Sequence, residues 1–303
     1  MPSTYALTRN LMPYKAVRIE VLDDEGAPVF ARAANGEPEE PVVASGFIMW
    51  ESRTLYLYTC WHVVTGIPII EPVRLPGALH PQRPMKLRVS MQSSAMRDEH
   101  LVPVDGSHRF AIDLYDTTFD PPMPRWEEDE RVEPNLALAA EPFWHDAVRI
   151  PLYVPPASLQ ELTLDDLWTN HIAPGDDLLV VGYPYGYSAA KVTPTPIALK
   201  RHVAAIAGEG ARQQILIDGG GAPGMSGGPV FCESADRLYL YGIYTGAIFP
   251  DAAEGVIPER TTALGTVCPL RPLLPNFKFA RPIFFNPIAH SSSHSTDVPL
   301  SVH

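Results

Sequence analysis

The sequence is poor in cysteine, in long apolar runs and in positive charge, and each shortage excludes a class of protein. Its three cysteines, Cys60, Cys232 and Cys268, are too few and too widely spread for a disulfide framework or a sequence-local zinc site. No segment approaches the roughly 20 apolar residues of a membrane span. Residues 1–20 contain no apolar run of signal-peptide length. We therefore expect a cytoplasmic protein without membrane association.

Basic residues are outnumbered, with 23 Lys and Arg against 35 Asp and Glu and a formal net charge of −12. Such an acidic chain is unsuited to an extended surface for phosphate backbones, so nucleic acid is not an expected partner. Nucleotide-binding fingerprints are also missing, because the run Gly219-Gly220-Gly221 lacks the Lys and Ser or Thr of a phosphate loop. We expect no cofactor and no metal, and the sequence leaves the oligomeric state open.

Stretches long enough for a helix are scarce, because 33 prolines interrupt the chain. Short segments of strand type are frequent instead, at residues 14–22, 42–50, 54–58, 86–89, 110–114, 146–154, 178–182, 203–207, 214–217, 229–232 and 238–244. This pattern predicts an all-β fold of closed barrels or sandwiches, divided by a connector near residues 155–166.

An acidic, proline-rich segment covers residues 116–141 and contains Glu127-Glu128-Asp129-Glu130. Clustered carboxylates usually stay in water, so the prediction is a solvated surface loop. A cation site is the alternative interpretation.

The glycine-rich segment around Ser226 has the composition of a nucleophile turn. Glycines permit backbone angles that aim successive N–H groups at one point. In Gly224-Met225-Ser226-Gly227-Gly228-Pro229, the N–H groups of Gly224 and Ser226 could then hold the oxyanion of an acyl-transfer intermediate. A plain turn between two strands is the other interpretation of this segment.

His62 is the candidate base for Ser226. It stands in Tyr58-Thr59-Cys60-Trp61-His62-Val63-Val64, which we interpret as a strand ending on a histidine. The unperturbed pKa of imidazole suits general-base work near neutral pH. Alone, a histidine in this position is more often structural, and the serine segment makes the catalytic interpretation the stronger one.

Together these segments resemble the motifs of the chymotrypsin/trypsin-like superfamily, over roughly residues 14–275. The similar segments are Ser45-Gly46-Phe47, Leu57 to Val64, Pro174-Gly175-Asp176-Asp177, Val180 to Pro184 with Gly186, Gly224 to Pro229, and Tyr241 to Gly246. Each motif is modest alone, but their order along the chain is that of the superfamily.

The resemblance implies two six-stranded antiparallel β-barrels with the active site in the cleft between them. It places an N-terminal barrel at residues 14–155 and a C-terminal barrel at 166–275. The tail at 276–303 is expected to be partly disordered, because it is rich in Ser and His from about residue 285. The resemblance also implies a serine endopeptidase acting on proteins or peptides. Its triad runs in the chain order His, Asp, Ser, with the aspartate orienting the histidine.

Two aspartates between His62 and Ser226 compete for the third triad position. Asp146 opens a strand-like segment just before the connector, as the superfamily pattern requires, although Ala147 follows it one position early. Asp113 is followed by Leu114, as in the pattern, but would leave an overlong interval before Ser226. We favour Asp146 and keep Asp113 as the alternative acid.

The resemblance also suggests substrate-binding positions at Gly220, Gly242, Tyr244 and Gly246. Gly220 stands where trypsin-like members with basic specificity carry an aspartate, so a Lys/Arg preference is not supported, although Asp218 is close in sequence. A catalytically inactive double barrel that binds peptides is the alternative function. An esterase of the α/β-hydrolase type is disfavoured, because its triad runs in the order Ser, Asp, His.

Overall fold

The computed structural model describes residues 12–32, 38–67, 83–97, 100–129, 145–153, 162–189, 193–208, 213–234, 237–248 and 264–280, which are mostly β-strands. The first lobe contains β1 (Ala16–Leu22), β2 (Phe30–Arg32), β3 (Pro38–Pro41), β4 (Val43–Glu51), β5 (Thr54–Thr59), β6 (Lys86–Arg97), β7 (His100–Asp113), β8 (Tyr115–Asp116), β9 (Met123–Pro124), β10 (Glu127–Asp129), β11 (Val148–Leu152) and β12 (Leu162–Thr163). The second part of the chain contains β13 (Asp177–Gly182), β14 (Ile197–Ala207), β15 (Gln214–Ile217), β16 (Pro229–Glu233), β17 (Leu238–Ile248), β18 (Leu264–Pro269) and β19 (Phe277–Phe279).

Helical structure in the described residues is confined to short turns. They are α1 (Trp61–Thr65) and the 3-10 segments Met12–Lys15, Leu164–Asp166, Pro184–Gly186 and Leu274–Asn276. None of these helices has the length and apolarity needed to cross a membrane.

The second lobe is a closed six-stranded barrel in the order β13-β14-β15-β18-β17-β16. Its strands bury apolar side chains at alternate positions, as in Gln214–Ile217, where Ile215 and Ile217 are fully buried. The apolar residues of the alternating pattern that predicted these strands therefore fill the barrel interior.

The first lobe does not close, which corrects the expectation of two closed six-stranded barrels. Its nine-stranded sheet runs β19-β10-β11-β5-β4-β1-β6-β7, with β12 attached in parallel to β4. The barrel strands β13-β14-β15-β18-β17-β16 have counterparts in the first lobe, which are, in the same order, β1, β4, β5, β11, β7 and β6. Five of the six pairings of that barrel recur here, and the pairing of β7 with β11 is the one that the described residues lack.

Two features of β11 account for the open seam. Strand β10 pairs with β11 at Val148 and Arg149, so it occupies the edge that β7 would need. Pro151 has no N–H to donate to a neighbouring strand. A cleft of about 330 Å³ lies along the seam, between residues 110–113 on one side and 150–153 on the other.

The acidic segment is an exposed turn at residues 117–121, as predicted, but the prediction of a solvated loop is wrong for residues 127–129. They form β10, and Glu127, Glu128 and Asp129 are buried with 7, 6 and 1% of their surface exposed. Arg149 pairs with Glu127 and also with the partly buried Glu51, so the charge of Glu127 is compensated. Glu130 and the rest of the segment to residue 141 lie outside the described residues.

Two strands from outside the predicted N-terminal barrel complete the sheet of the first lobe. Strand β12, from the predicted connector, pairs with β4, and β19, from the predicted tail, pairs with β10. Phe277 of β19 packs edge-on against Tyr58, which is stacked on Phe47. The two lobes share one apolar cluster, in which Val181 and Phe231 join the first-lobe core.

Candidate active site

His62 lies in a single helical turn rather than at the end of a strand, which corrects the sequence-based prediction. Strand β5 ends at Thr59, and α1 begins at Trp61 after Cys60. The helix ends at Gly66, whose N–H donates to the carbonyl of His62 at 2.8 Å. Trp61 and Val64 are buried, whereas the His62 side chain keeps 21% of its surface exposed. The turn therefore anchors itself in the core while presenting the imidazole at the surface.

Asp146 holds His62 through two hydrogen bonds. Its Oδ1 accepts the His62 backbone N–H at 2.9 Å, and its Oδ2 lies 2.5 Å from His62 Nδ1. The register of the sheet explains the meeting, because Val148 of β11 pairs with Thr59 at the end of β5. Asp146 is 6% exposed, so its carboxylate faces the imidazole rather than water.

The electrostatics of this pair favour a basic imidazole. Burial by itself lowers the pKa of His62, but the charge of Asp146 and its hydrogen bond raise that pKa further, so the net shift is upward. With Asp146 on Nδ1, the neutral tautomer carries its proton there and leaves Nε2 able to accept another.

Asp113, the alternative acid, does not lie beside His62. It is exposed at the end of β7, opposite Lys86 in the sheet, and lines the cleft at the open seam. The backbone N–H and Nδ1 of His62 are both bound to Asp146. The structure thus brings Asp146, and not Asp113, to the histidine.

The serine turn is docked directly on the first lobe beside α1. The backbone N–H of Ser45 donates to the Ser226 carbonyl at 2.8 Å. A Cβ added at Gly227, which has φ +88°, would lie 2.1 Å from the Ser45 carbonyl oxygen and 2.3 Å from Thr59 Oγ1. Only glycine fits such an approach, so the turn and the end of β5 are in contact. Ser226 is partly exposed and, within the described residues, its side chain has no hydrogen bond.

Two N–H groups of the turn are turned outward by the bonds of their neighbours. The Pro223 carbonyl accepts from the Tyr185 N–H at 2.5 Å, and the Met225 carbonyl accepts from the Gly228 N–H at 3.0 Å. In a trans peptide the N–H points away from the preceding C=O. The N–H groups of Gly224 and Ser226 therefore point away from these bonds, and neither has an acceptor among the described residues.

Ser45 is a residue whose role the sequence did not reveal, although it belongs to a segment used for the resemblance. It is fully buried, and its Oγ donates to the Gly224 carbonyl at 2.7 Å and accepts the Tyr183 N–H at 2.9 Å. One hydroxyl thus ties strand β4 of the first lobe to both the serine turn and the end of β13. No local pattern signals such a contact, because its partners lie more than a hundred residues away in the chain.

Glu128 supports the histidine turn through a hydrogen bond to Trp61. Its Oε2 accepts hydrogen bonds from Trp61 Nε1 at 2.7 Å and from Trp126 Nε1 at 3.1 Å. Burial raises the pKa of Glu128, although both indole donors lower it. This contact fixes Trp61, the residue next to His62, and it was hidden in a segment predicted to be a loop.

The four predicted substrate positions fall into two groups. Gly220 and Gly246 are partly exposed, and a Cβ at Gly246 would meet nothing within 4 Å. Gly242 is buried against the Cys268 carbonyl, which a Cβ would approach to 2.2 Å. Tyr244 is 2% exposed, and its hydroxyl accepts the Gly221 N–H at 2.5 Å. Of the four, only Gly220 and Gly246 reach the surface.

The chain is similar to one protein family and to several solved structures. Residues 44–239 match the trypsin-like peptidase domain family. Among solved structures, GrC is 13% identical, with 84% of this chain and 89% of that chain covered and a TM-score of 0.42. A thermostable serine protease, AL20, from an extremophilic microorganism is 11% identical, with 84% and 91% covered and a TM-score of 0.41. None of the curated proteins searched matches the chain.

The family match covers both the histidine turn and the serine turn, and more than half of the chain. This confirms the resemblance inferred from the motifs. The chain belongs to the trypsin-like peptidase domain family.

Proposed function

We propose that the protein is a serine endopeptidase with Ser226 as nucleophile, His62 as general base and Asp146 as the group that orients His62. The two hydrogen bonds that Asp146 accepts from His62 are the observation that carries the proposal. They fix the imidazole so that Nε2, on the far side of the ring, remains available for the proton of a serine hydroxyl.

In the proposed reaction, Ser226 Oγ attacks the carbonyl carbon of a peptide bond and gives its proton to His62 Nε2. His62 then protonates the leaving amine, and an acyl-enzyme on Ser226 remains. Water attacks this ester, again losing a proton to His62, and releases the acid product. The charge of Asp146 stabilises the imidazolium that forms in each half of the reaction.

The outward N–H groups of Gly224 and Ser226 are suited to hold the oxyanion of both tetrahedral intermediates. Ser45 supports this geometry by binding the Gly224 carbonyl, so the turn cannot rotate without breaking a buried bond. Losing one such donor typically lowers kcat by a factor of about 10²–10³.

The cytoplasmic location of the enzyme stays a prediction.

An active-site-directed fluorophosphonate tests the proposal. Folded wild-type protein should become labelled on one serine, and Ser226→Ala should abolish the labelling. Ser234→Ala, in the turn after β16, is the matched control and should label normally. A folded wild-type protein that takes up no reagent would instead support the non-catalytic double-barrel alternative.

Tyr244 provides a prediction about substrate preference. Its phenol lies beneath the loop of Gly219, Gly220 and Gly221, and a Cβ at Gly221 would be 2.9 Å from its hydroxyl. The nearby Asp218 is held by the backbone N–H and ring of His202, so it is not aimed into this space. We infer a shallow primary pocket and a preference for small residues before the cleaved bond.

Shortening Tyr244 should therefore open the pocket. In Tyr244→Ala, kcat/KM for substrates with a bulky apolar residue before the cleaved bond should rise about tenfold or more relative to substrates with alanine there. Tyr239→Ala, on the same strand but packed against Trp168, should leave that ratio unchanged. A cleavage-site profile of both variants measures it, and an unchanged preference in Tyr244→Ala would contradict the inference.

A further inference from the structure

A buried thiol stands directly beside the histidine–aspartate pair. Cys60 is completely buried between β5 and α1, and its Sγ lies 3.4 Å from the Tyr244 carbonyl oxygen. Sγ of Cys60, a ring nitrogen of His62 and a carboxylate oxygen of Asp146 all lie within 4.8 Å of one another. Burial, followed by the charge of Asp146, raises the pKa of the Cys60 thiol well above its ordinary value. The uncomplexed protein therefore holds a neutral thiol here.

The three atoms form a ligand set of sulfur, nitrogen and oxygen. Zinc binds such donors at about 2.3 Å for sulfur and about 2.0–2.2 Å for nitrogen and oxygen. Atoms at those bond lengths around one centre lie roughly 3–4 Å apart. The Nδ1–Oδ2 contact of 2.5 Å would have to widen by only about 1 Å for an ion to enter. Hard cations such as magnesium prefer oxygen ligands and do not suit the thiol.

We propose that this cluster is an inhibitory site for a thiophilic divalent cation of the zinc or cadmium type, formed by Cys60, His62 and Asp146. The ion binds the Cys60 thiolate, the Asp146 carboxylate and Nδ1 of His62, and the fourth position is left to water. Binding releases the thiol proton to solvent. The proton of His62 moves from Nδ1 to Nε2, which can then no longer accept the Ser226 proton. Inhibition depends on the proposed peptidase function, whereas binding does not.

The other two cysteines provide a contrast within the chain. Cys232 is buried on β16 opposite Leu178 and Tyr239 in the second barrel. Cys268 lies 3.1 Å from His145 Nδ1. In the described part of the chain, the cluster containing Cys60 is the one group of His, Cys, Asp and Glu whose ligand atoms meet the spacing for an ion. An exposed surface pairing of His202 with Asp177 and Asp218 is the competing explanation for any zinc effect.

Cadmium binding can be measured without any substrate. Titrating the reduced full chain with cadmium chloride should produce the ultraviolet charge-transfer band of a cadmium–thiolate bond in wild type and in Cys232→Ala. The band should be missing in Cys60→Ala and in Cys60→Ser, which keeps a polar atom of similar size at this position. A wild-type protein without the band, or an undiminished band in both folded Cys60 variants, would refute the site.

Inhibition is measured separately, with zinc chloride in chelator-free buffer and each variant compared with its own zinc-free rate. The concentration for half-inhibition should rise by about 10- to 100-fold in Cys60→Ala and Cys60→Ser. His202→Ala should respond like wild type, and zinc sensitivity lost in His202→Ala but kept in the Cys60 variants would overturn the proposal. If the protein showed the cadmium–thiolate band but no peptidase activity, the proposed function would be rejected and the proposed metal site would stand.

Discussion

Replacement of Asp146 by asparagine is expected to lower kcat about 10⁴-fold while leaving the fold intact. The asparagine carbonyl can still accept the His62 backbone N–H, so α1 keeps its anchor. Its amide N–H₂, however, faces Nδ1 and favours the tautomer with the proton on Nε2. In that tautomer, His62 cannot take the proton of Ser226. Single-turnover and steady-state kinetics on a cleaved peptide measure the loss.

The pH profile adds a second signature of the same substitution. The proposed mechanism needs neutral His62, so the acid limb of kcat/KM should follow the pKa of His62, which Asp146 raises. Without the carboxylate charge, burial is left as the dominant influence and lowers this pKa. The residual activity of Asp146→Asn should therefore persist to lower pH than that of the wild type.

Asp113→Asn is the matched control, because Asp113 was the alternative acid. It lies exposed at the open seam and makes no contact with His62 among the described residues. Its kcat should stay within about twofold of the wild type, as expected for an exposed substitution of small effect. If Asp113→Asn lost activity and Asp146→Asn kept it, the proposed triad would be wrong.

A single added methyl group at Gly227 is expected to destabilise the protein by about 4 kcal/mol or more. Its Cβ would lie 2.1 Å from the Ser45 carbonyl oxygen and 2.3 Å from Thr59 Oγ1. The main-chain oxygen belongs to β4 in the middle of the sheet and cannot retreat without disturbing it. Where the variant does fold, a shift of the serine turn by about 1 Å should slow catalysis about 100-fold.

Gly26→Ala separates the clash from the backbone strain. Gly26 has a φ of +83°, close to the +88° of Gly227, but nothing lies within 4 Å of its added Cβ. The free energy of unfolding of this variant should fall by only about 1–2 kcal/mol. For each kcal/mol lost, Tm should fall by roughly 2–4 °C. Thermal unfolding of both variants, together with the fluorophosphonate labelling rate, measures the difference. Equal losses at Gly26 and Gly227 would show that the close approach to Ser45 is absent.

The sequence by itself determined the family and singled out the candidate site residues. The glycine pattern around Ser226, the histidine at 62 and their order along the chain predicted the family, which the match over residues 44–239 confirmed. Position relative to the connector favoured Asp146, and the structure brings that residue to His62. These signals were readable because each depends on a short segment, where turn geometry and strand alternation constrain the residue types.

The acidic strand shows where local patterns failed. The sequence shows that Glu127, Glu128 and Asp129 are charged, but it does not show which side chains pair with them. They were therefore interpreted as part of a solvated loop. Those partners are Arg149 for Glu127 and two indole N–H groups for Glu128, all supplied by tertiary contacts. A buried carboxylate is tolerated when it is paired or hydrogen-bonded, and only the folded chain decides whether it is.

Tertiary structure alone decided the remaining features of the site. The open seam follows from β10 occupying the edge of β11, a competition between strands that no alternation pattern expresses. Ser45 joins the two lobes, Tyr244 fills the space under the loop at residues 219–221, and Cys60 lies beside His62 and Asp146. Each of these contacts joins residues distant in sequence, and their geometry is set by strand register and by packing of the two lobes rather than by any local preference.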